Sequence, residues 1–352
     1  MTKTFYIRTF SIFMLSSLFI MASCEEEMVG PRIENTPVNN FEYFWKTFDT
    51  HYGMFEVKNI NWEKIYDEYR PRVTGQTGEE ELYKVFSEMI VQLNDNHLNL
   101  YPTNGRLPVF PGGVLSYRNG TLNIRKAQDD YDIEVCKKYV QDYKQVTENI
   151  GFGTLDGNIG YINIKGTDKL KQAKEQLSGI VAKLSSTKGL IIDVRGFYGG
   201  FDPVSQSMAG FFATSRKLYM TSRKRNGPHH SDFTQPLEWY VAPGDVAYTK
   251  PVIVLTSRFT QSAGETFTLA LKQFEHVKTL GDTTAGSLSD NPNFQLPNGW
   301  LFSVSVGDYR ASGNVSYEGI GIGPDEYILT TKDDLLKSID VMLEKAVEEL
   351  RR

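Results

Sequence analysis

Residues 190–200 of the chain have the sequence LIIDVRGFYGG. The segment 190–194 is an almost continuous apolar run, which is typical of a strand covered on both faces of a sheet. The pair Gly199–Gly200 predicts a tight turn from this strand into a helix. Paired glycines can also point backbone amides into a site without side-chain obstruction. From these residues alone, both interpretations of the turn remain open.

The alternation of strand and helix continues on both sides of this stretch. Strands are predicted at 160–164, 252–255 and 277–280, and helices at 170–184, 203–212 and 262–274. The strand at 160–164 is expected to alternate between buried and exposed side chains, whereas 252–255 is wholly apolar. Turn residues at 118–121 and 297–299 predict two hairpins. Because strand–helix–strand units build parallel sheets with helices on their faces, we expect an α/β fold with a partly parallel sheet.

A helical region precedes the sheet. Apolar residues recur at helical spacing in three segments, 41–48, 62–69 and 82–93. Thr77 and Glu80 have the spacing of a capping box at the start of the third helix. That helix is expected to end at 94–97, before a short strand that stops at Pro102.

The overall composition is that of an ordinary globular protein. The chain has 352 residues, of which 40% are hydrophobic and 23% charged, so it can bury a sizeable core. The formal net charge is −5, which argues against non-specific nucleic-acid binding, since that depends on clustered Lys and Arg. The sequence has no Walker-type, Rossmann-type or zinc-ligand spacing, so we expect no nucleotide or metal site of those kinds.

The first 23 residues resemble a bacterial secretory signal. Two basic residues precede an uncharged, mostly apolar segment at 9–23, which is shorter than the roughly 20 residues that a membrane span needs. The sequence Met-Ala-Ser before Cys24 is similar to the lipobox of bacterial lipoproteins. This resemblance implies a signal peptide at 1–23, a lipidated Cys24, a tether at 24–39 and no disulfide for Cys136. It also implies an outer-membrane location, on the periplasmic face or at the cell surface. A plain signal peptide without lipidation is the alternative.

A second informative stretch, TSRFTQSAGE at 256–265, lies between a predicted buried strand and a predicted helix. Ser262 stands at the start of that helix, where a hydroxyl commonly serves as the N-cap. The position also suits a nucleophile, because free amides and the helix dipole stabilise negative charge. Glu318 begins a third segment, the glycine-rich EGIGIGPD at 318–325. These residues alone do not decide between an N-cap and a nucleophile for Ser262.

Four motifs in this order resemble those of the C-terminal-processing peptidase and tricorn-core family of serine peptidases. They are Asp-x-Arg-x-x-x-Gly-Gly at 193–200, a variant of Ser-Ala-Ser-Glu at 262–265, Gly-x-x-Thr-x-Gly at 281–286 and Glu-Gly-x-Gly-x-x-Pro-Asp at 318–325. Four ordered motifs are a specific match, whereas each alone would be weak. The resemblance implies an α/β fold with a crotonase-like (ClpP/crotonase) ββα core and an N-terminal helical subdomain.

The family has two catalytic designs, and the chain is closer to one of them. The processing-peptidase branch uses a lysine directly after the Gly-x-x-Thr-x-Gly motif, where this chain has Ser287. The tricorn-like branch uses a histidine from an N-terminal segment and the glutamate of the Glu-Gly-x-Gly motif. His97, in the segment LNDNH, and Glu318 match that branch, although Asn96 stands where the branch has glycine.

The resemblance therefore implies Ser262 as nucleophile, His97 as general base and acid, and Glu318 as the carboxylate that orients the imidazole. Histidine can take a serine proton near neutral pH, and a carboxylate on the other ring nitrogen fixes the tautomer. The oxyanion hole would use the backbone amides of Gly199, Gly200 and Ala263. No cofactor or metal is implied.

The other histidines fit structural roles. His51 falls in the first predicted helix, and His276 follows a later one. His229 and His230 lie in a loop that is either simply solvated or lines a substrate groove.

The predicted domains are a helical subdomain at 40–102, a connecting segment at 103–150 and a peptidase core at 151–352. The connecting segment is too short for the PDZ module of many processing peptidases. The implied function is a serine-type peptidase that acts on peptides or unfolded proteins outside the inner membrane. One alternative is a catalytically inactive, lipid-anchored peptide-binding protein on the same fold, which Ser287 leaves open. An enoyl-CoA-type enzyme is disfavoured, because a secreted lipoprotein meets little acyl-CoA.

Overall fold

The computed structural model describes residues 33–352, apart from residues 104, 113–116, 119–120 and 123–130. The helices are α1 (Pro37–His51), α2 (Trp62–Tyr69), α3 (Glu79–Leu93), α4 (Ile133–Cys136), α5 (Leu170–Leu184), α6 (Asp202–Ala209), α7 (Ala263–Leu271), α8 (Lys332–Leu336) and α9 (Val341–Arg351). The strands are β1 (Asn99–Tyr101), β2 (Phe110–Pro111), β3 (Tyr117–Arg118), β4 (Thr121–Leu122), β5 (Gln141–Gln145), β6 (Ile150–Leu155), β7 (Ile159–Ile164), β8 (Gly189–Asp193), β9 (Lys217–Lys224), β10 (Leu237–Val241), β11 (Val252–Thr256), β12 (Val277–Gly281), β13 (Asn293–Gln295), β14 (Leu301–Ser303), β15 (Gly307–Ala311) and β16 (Glu326–Tyr327).

A seven-stranded sheet forms the centre of the fold, in the order β16-β12-β11-β8-β7-β6-β5. The strands from β16 to β7 pair in parallel, whereas β6 is antiparallel to both β7 and β5. The predicted partly parallel sheet is therefore confirmed. The expected alternation along 160–164 was wrong, because every residue of β7 is buried. The polar side chain of Asn163 is accommodated there by donating a hydrogen bond to the Tyr131 hydroxyl at 2.9 Å.

Helices cover both faces of this sheet, which explains the apolar run that follows Gly189. Leu190 and Ile192 of β8 point into a core that they share with α5, α6 and α7. Ile191, between them, points into a second core with α4 and α9. Alternate residues of a strand face opposite sides of its sheet. An apolar residue is therefore needed at each of these three positions.

The three N-terminal helices form their own core together with a hairpin from much later in the chain. Phe44 of α1 stacks on Phe86 of α3 at a centroid distance of 4.3 Å and lies 5.0 Å from Phe302 of β14. β14 pairs with β13 and with β1, and β1 also pairs with β2. The hairpin predicted at 297–299 is thus confirmed. It joins the helical subdomain to the rest of the protein.

The start of α3 differs from the sequence-based expectation. The predicted capping box of Thr77 and Glu80 was wrong, since α3 begins at Glu79 with Gly78 as its N-cap residue. The Thr77 hydroxyl instead accepts a hydrogen bond from the amide of Thr74 at 2.8 Å. Threonine hydroxyls readily bond to nearby backbone groups. Here the Thr77 hydroxyl bonds to the preceding turn, whereas the capping box would have it accept from the backbone of α3.

A three-stranded antiparallel sheet, β10-β9-β15, lies outside the central sheet and was not predicted from the sequence. The loop after β9 returns to the helical subdomain. There His230 Nε2 lies 2.9 Å from Asp49 Oδ1, and the His230 ring stacks on Phe55 at 4.3 Å. His230 therefore makes a packing contact with the helical subdomain.

Several predicted features fall on or beside residues outside the described part of the chain. β3 and β4 pair with Arg118 opposite Thr121, as the predicted hairpin requires, but its two central residues are not described. The predicted signal peptide, Cys24 and the first part of the tether also lie outside the described residues. Among the residues that are described, no helix has the length and apolar character needed to cross a membrane.

Candidate active site

Ser262 adopts an uncommon backbone conformation at the start of α7. Its φ of 54° and ψ of −123° lie outside the regions that non-glycine residues usually occupy. The Ser262 amide donates a hydrogen bond to the Ser287 carbonyl at 2.9 Å. The amide of Gln261 donates to the Phe197 carbonyl, also at 2.9 Å. Two neighbouring loops thus hold the strained residue in place, as is common at functional sites.

Glu265 is a further candidate to which the sequence reasoning assigned no role. Its buried carboxylate accepts hydrogen bonds from the Thr284 hydroxyl at 2.6 Å and from three amides. Those amides belong to Ser287 at 2.7 Å, Gly286 at 2.8 Å and Ser262 at 3.2 Å. Burial raises the pKa of Glu265 to about 7, although these hydrogen bonds oppose the shift. Glu265 therefore positions Ser262 against the neighbouring loop. The available signal was its place three residues after the N-cap, where a capping-box glutamate stands.

The predicted oxyanion donors lie beside Ser262. Gly199 and Gly200 have φ values of 125° and 144°, a region in which only glycine is unstrained. A Cβ on Gly199 would lie 3.0 Å from Ser262 Cβ, and one on Gly200 would lie 2.0 Å from Thr167 Oγ1. No acceptor in the described part of the chain takes a hydrogen bond from the amides of Gly199, Gly200 or Ala263. These amides are available to a bound oxygen atom, and the oxyanion hole stays a prediction.

His97 lies in the buried turn between α3 and β1, with 7% of its surface exposed. Its amide donates to Asp95 Oδ1 at 2.9 Å, and its carbonyl accepts from the Ser303 hydroxyl at 2.7 Å. The backbone of Ser289 lies next to the ring and opposes the lowering of its pKa, while Nδ1 is buried and lacks a partner among the described residues. Burial lowers the pKa of His97, although the charge of Asp95 opposes this. The neutral ring can therefore accept a proton at neutral pH.

Asn96, which replaces the glycine of the tricorn-like pattern, connects the two halves of the site. Its Nδ2 donates a hydrogen bond to the Ala285 carbonyl at 2.9 Å. Ala285 belongs to the loop that also contacts Ser262 through Ser287. A glycine could not make this side-chain bond. Asn96 thus connects the turn that carries His97 to the loop beside Ser262 through this hydrogen bond.

Glu318 is buried next to the same loop. Its Oε2 accepts a hydrogen bond from the Leu288 amide at 2.9 Å, whereas Oε1 is buried without a partner among the described residues. Burial raises the pKa of Glu318 to about 8, the charge of Asp95 adds to the shift and the charge of Lys58 opposes it. Glu318 consequently holds its proton more tightly than an exposed glutamate does.

The loop at 287–289 connects the three predicted catalytic residues. Each residue of this loop contacts a different predicted catalytic residue. Ser287 contacts Ser262, Leu288 contacts Glu318, and Ser289 contacts His97. Within the described part of the chain, the side chains of Ser262, His97 and Glu318 form no hydrogen bonds with one another. The structure therefore gathers these residues around a single loop. Their assignment as a triad stays a prediction.

The two departures from the family motifs near Ser262 have different local environments. Ser287, in the position of the dyad lysine, is fully buried, and its hydroxyl has no partner among the described residues. Gly264, in the position of the second serine, faces Phe197. A Cβ on Gly264 would lie 2.6 Å from the Phe197 carbonyl oxygen, so glycine permits this close packing.

His51 and His276 lie next to aromatic rings. The His51 ring stacks on Phe294 at 5.0 Å, and the His276 ring lies 6.0 Å from that of Phe274. In the described residues, no group of three or more His, Cys, Asp and Glu side chains could hold a metal ion.

The pH dependence of peptide cleavage distinguishes Glu318 from His97. If ionised Glu318 orients the imidazole, kcat/KM should rise with pH through about 8, because that carboxyl loses its proton there. If His97 were the group that titrates, the rise would lie below pH 6.5, the ordinary pKa of histidine, since burial lowers the pKa of His97. Glu318→Gln should remove the rise near pH 8 and lower kcat by up to about 10⁴-fold. A pH profile of Glu318→Gln that matches the parent would exclude this role.

Comparison with protein families supports the resemblance found in the motifs. Residues 158–328 match the model of peptidase family S41, and residues 34–91 match that of the tricorn protease C1 domain. The first match contains Ser262 and Glu318 and corresponds to the α/β core. The second covers α1, α2 and most of α3. Residues 158–328 thus form a peptidase family S41 domain, which confirms the resemblance inferred from the four motifs.

Individual relatives are similar over parts of their length. The chain is 26% identical over 194 residues to the carboxy-terminal-processing protease of Bartonella bacilliformis, which covers 54% of this chain and 43% of the relative. It is 31% identical over 133 residues to the carboxy-terminal processing protease CtpA of Bacillus subtilis, covering 37% and 26%. The chain thus spans less than half the length of these relatives. A candidate peptidase from Parabacteroides merdae has a similar structure, with a TM-score of 0.78, 28% identity and coverage of 91% and 98%.

Proposed function

We propose that the protein is a serine-type peptidase that hydrolyses peptide bonds through an acyl-enzyme. The observation that carries the proposal is the loop at 287–289, which contacts Ser262, Glu318 and His97 in turn. The strained backbone of Ser262 and the unoccupied amides beside it support the same chemistry. The peptidase family S41 domain at residues 158–328 agrees with this reaction class.

In the proposed reaction, Ser262 Oγ attacks the carbonyl carbon of the scissile peptide bond while His97 takes the hydroxyl proton. The amides of Gly199, Gly200 and Ala263 bind the oxyanion of the tetrahedral intermediate. Protonated His97 then gives its proton to the leaving amine, and the acyl group remains on Ser262. Water, deprotonated by His97, hydrolyses this ester and regenerates the serine.

Two exposed aromatic side chains support a preference for apolar peptide side chains. Tyr198 and Phe201, on either side of the glycine pair, are 59% and 65% exposed. Their backbones are fixed, since the Tyr198 carbonyl accepts from Gln261 Nε2 at 2.9 Å and the Phe201 amide donates to Thr167 Oγ1 at 2.8 Å. Exposed aromatic rings next to a nucleophile can bury apolar substrate groups.

The proposal is tested with a soluble form of the protein that begins after Cys24. It is incubated with a diverse peptide mixture, and cleavage is followed by mass spectrometry. We expect cleavage beside apolar residues. A fluorophosphonate, which labels activated serines, should abolish cleavage and modify Ser262. Peptide binding without cleavage or labelling would instead favour the alternative, a catalytically inactive peptide-binding protein on the same fold.

We further propose that the core is of the crotonase-like type, because β6, β7 and α5 form a ββα unit beside the strands that carry the site. We also propose that the protein is an outer-membrane lipoprotein attached through Cys24. The support for attachment is the N-terminal sequence alone, in which an apolar segment ends directly before this cysteine.

Cys24→Ser in the full-length protein should release the protein from membranes into the soluble fraction. A thioether-linked lipid cannot form on serine, and the acyl chains supply the membrane affinity. Fractionation of cells that produce the parent or the variant checks this, with Cys136→Ser as the matched control. Membrane retention of Cys24→Ser would contradict the lipid anchor.

A further inference from the structure

Lys58 extends from the segment between α1 and α2 to the turn that carries His97. Its side chain is only 10% exposed. Nζ donates to the carbonyls of Asn94 at 2.8 Å and Leu93 at 3.4 Å, and it lies 3.7 Å from Asp95 Oδ2. The ammonium therefore binds the carboxyl end of α3, where the helix dipole is negative, together with the carboxylate just beyond it.

The same side chain also reaches the loop that begins with Glu318. A Cβ on Gly319 would lie 3.5 Å from Lys58 Cε and 3.7 Å from Nζ, so the lysine passes directly over this backbone. The charge of Lys58 lowers the pKa values of both Asp95 and Glu318, against the effect of their burial. The titratable groups that act most strongly on Glu318 include Asp95, Lys58 and Glu265, and Glu318 also acts on Tyr52. Lys58 is the cation in that set.

Asp95 links Lys58 to the backbone of His97. Its Oδ1 accepts from the His97 amide at 2.9 Å, and its Oδ2 accepts from the buried Tyr52 hydroxyl at 3.1 Å. A pocket of about 390 Å³ is lined by Lys58 and Glu318.

We propose that Lys58 is a positioning residue, whose ammonium joins the turn that presents His97 to the loop that begins with Glu318. The inference rests on the proposed function, in which Glu318 acts as the orienting carboxylate. The helical subdomain then supplies more than the histidine. It also supplies the positive charge that two buried carboxylates share, one in the subdomain and one in the core.

The test compares Lys58→Gln with Lys58→Arg. Glutamine retains a donor for the Asn94 carbonyl but has no charge, whereas arginine keeps the charge. Titration of Glu318 by ¹³C NMR of glutamate carboxyl groups, assigned with Glu318→Gln, does not depend on activity. Lys58→Gln should raise the pKa of Glu318 by about one unit or more, and Lys58→Arg should leave it near the parent value. The rise of kcat/KM with pH should move by the same amount.

Asp95→Asn provides a second variant with the opposite expectation. It removes the neighbouring negative charge but keeps an oxygen for the His97 amide, so the pKa of Glu318 should fall. The inference predicts this fall in the pKa of Glu318 whether or not Lys58→Gln folds, so Asp95→Asn tests it independently. An unchanged Glu318 titration in Lys58→Gln, or in Asp95→Asn, would overturn the inference. If the variants show these pKa shifts but the parent protein cleaves no peptide, the result counts against the peptidase function. It does not count against the coupling between Lys58 and Glu318.

Discussion

Replacing Ser262 with alanine is expected to abolish peptide hydrolysis, with a fall in kcat of at least about 10⁴-fold. The hydroxyl is the group that forms the acyl-enzyme, and alanine cannot replace it. The backbone contacts of the residue should persist, because its amide donates to the Ser287 carbonyl and to the Glu265 carboxylate. We therefore expect the free energy of unfolding to stay within about 1 kcal/mol of the parent. Steady-state cleavage of a peptide identified from the mixture, with thermal unfolding in parallel, measures both.

Ser287→Ala is the matched control for this experiment. It removes a hydroxyl from the residue whose carbonyl contacts Ser262, and that hydroxyl has no partner among the described residues. Cleavage by this variant should remain close to that of the parent. Cleavage by Ser262→Ala at the parent rate would instead mean that another residue is the nucleophile or that a contaminating peptidase is present.

The elements predicted well from the sequence are those whose pattern depends on burial alone. The apolar runs at 190–194 and 252–255 predict strands covered on both faces, and the structure confirms both. The helical spacing at 82–93 likewise predicts α3. The periodicity of apolar residues indicates which faces of a helix or strand are buried, whatever element covers them.

Periodicity does not identify the partner of a buried face, and this accounts for most of what the sequence did not predict. The pairing of β1 with β14 joins Leu100 to Phe302, which are about two hundred positions apart. The bond from Asn96 to Ala285 spans a similar separation. Such contacts depend on how complete elements pack against each other. The motifs suggested that Ser262, His97 and Glu318 belong to one site only through resemblance to known peptidases.

Contacts of this kind also determine the role of the first motif. Arg195 follows β8 and is fully buried between two carboxylates. Its guanidinium donates to Asp193 at 2.7 Å and 3.0 Å and to Asp340, the N-cap residue of α9, at 2.8 Å and 2.9 Å. The Arg195 carbonyl accepts from the Ser257 hydroxyl at 2.6 Å. Arg195 thereby anchors the turn with the predicted oxyanion amides to the C-terminal helix, and its expected contribution is to stability.

Arg195→Met should lower the free energy of unfolding by about 3–5 kcal/mol, because it leaves two carboxylates buried without their cation. The loss should be larger than for Asp340→Asn, which keeps an oxygen to accept from the Leu343 amide. Lys171→Met is the matched control, since Lys171 pairs with Glu175 at the surface, where the side chains are 89% and 63% exposed. Its effect should stay within about 0.5 kcal/mol. Urea unfolding of the soluble form measures all three variants. Equal stability of Arg195→Met and Lys171→Met would contradict the role assigned to the buried arginine.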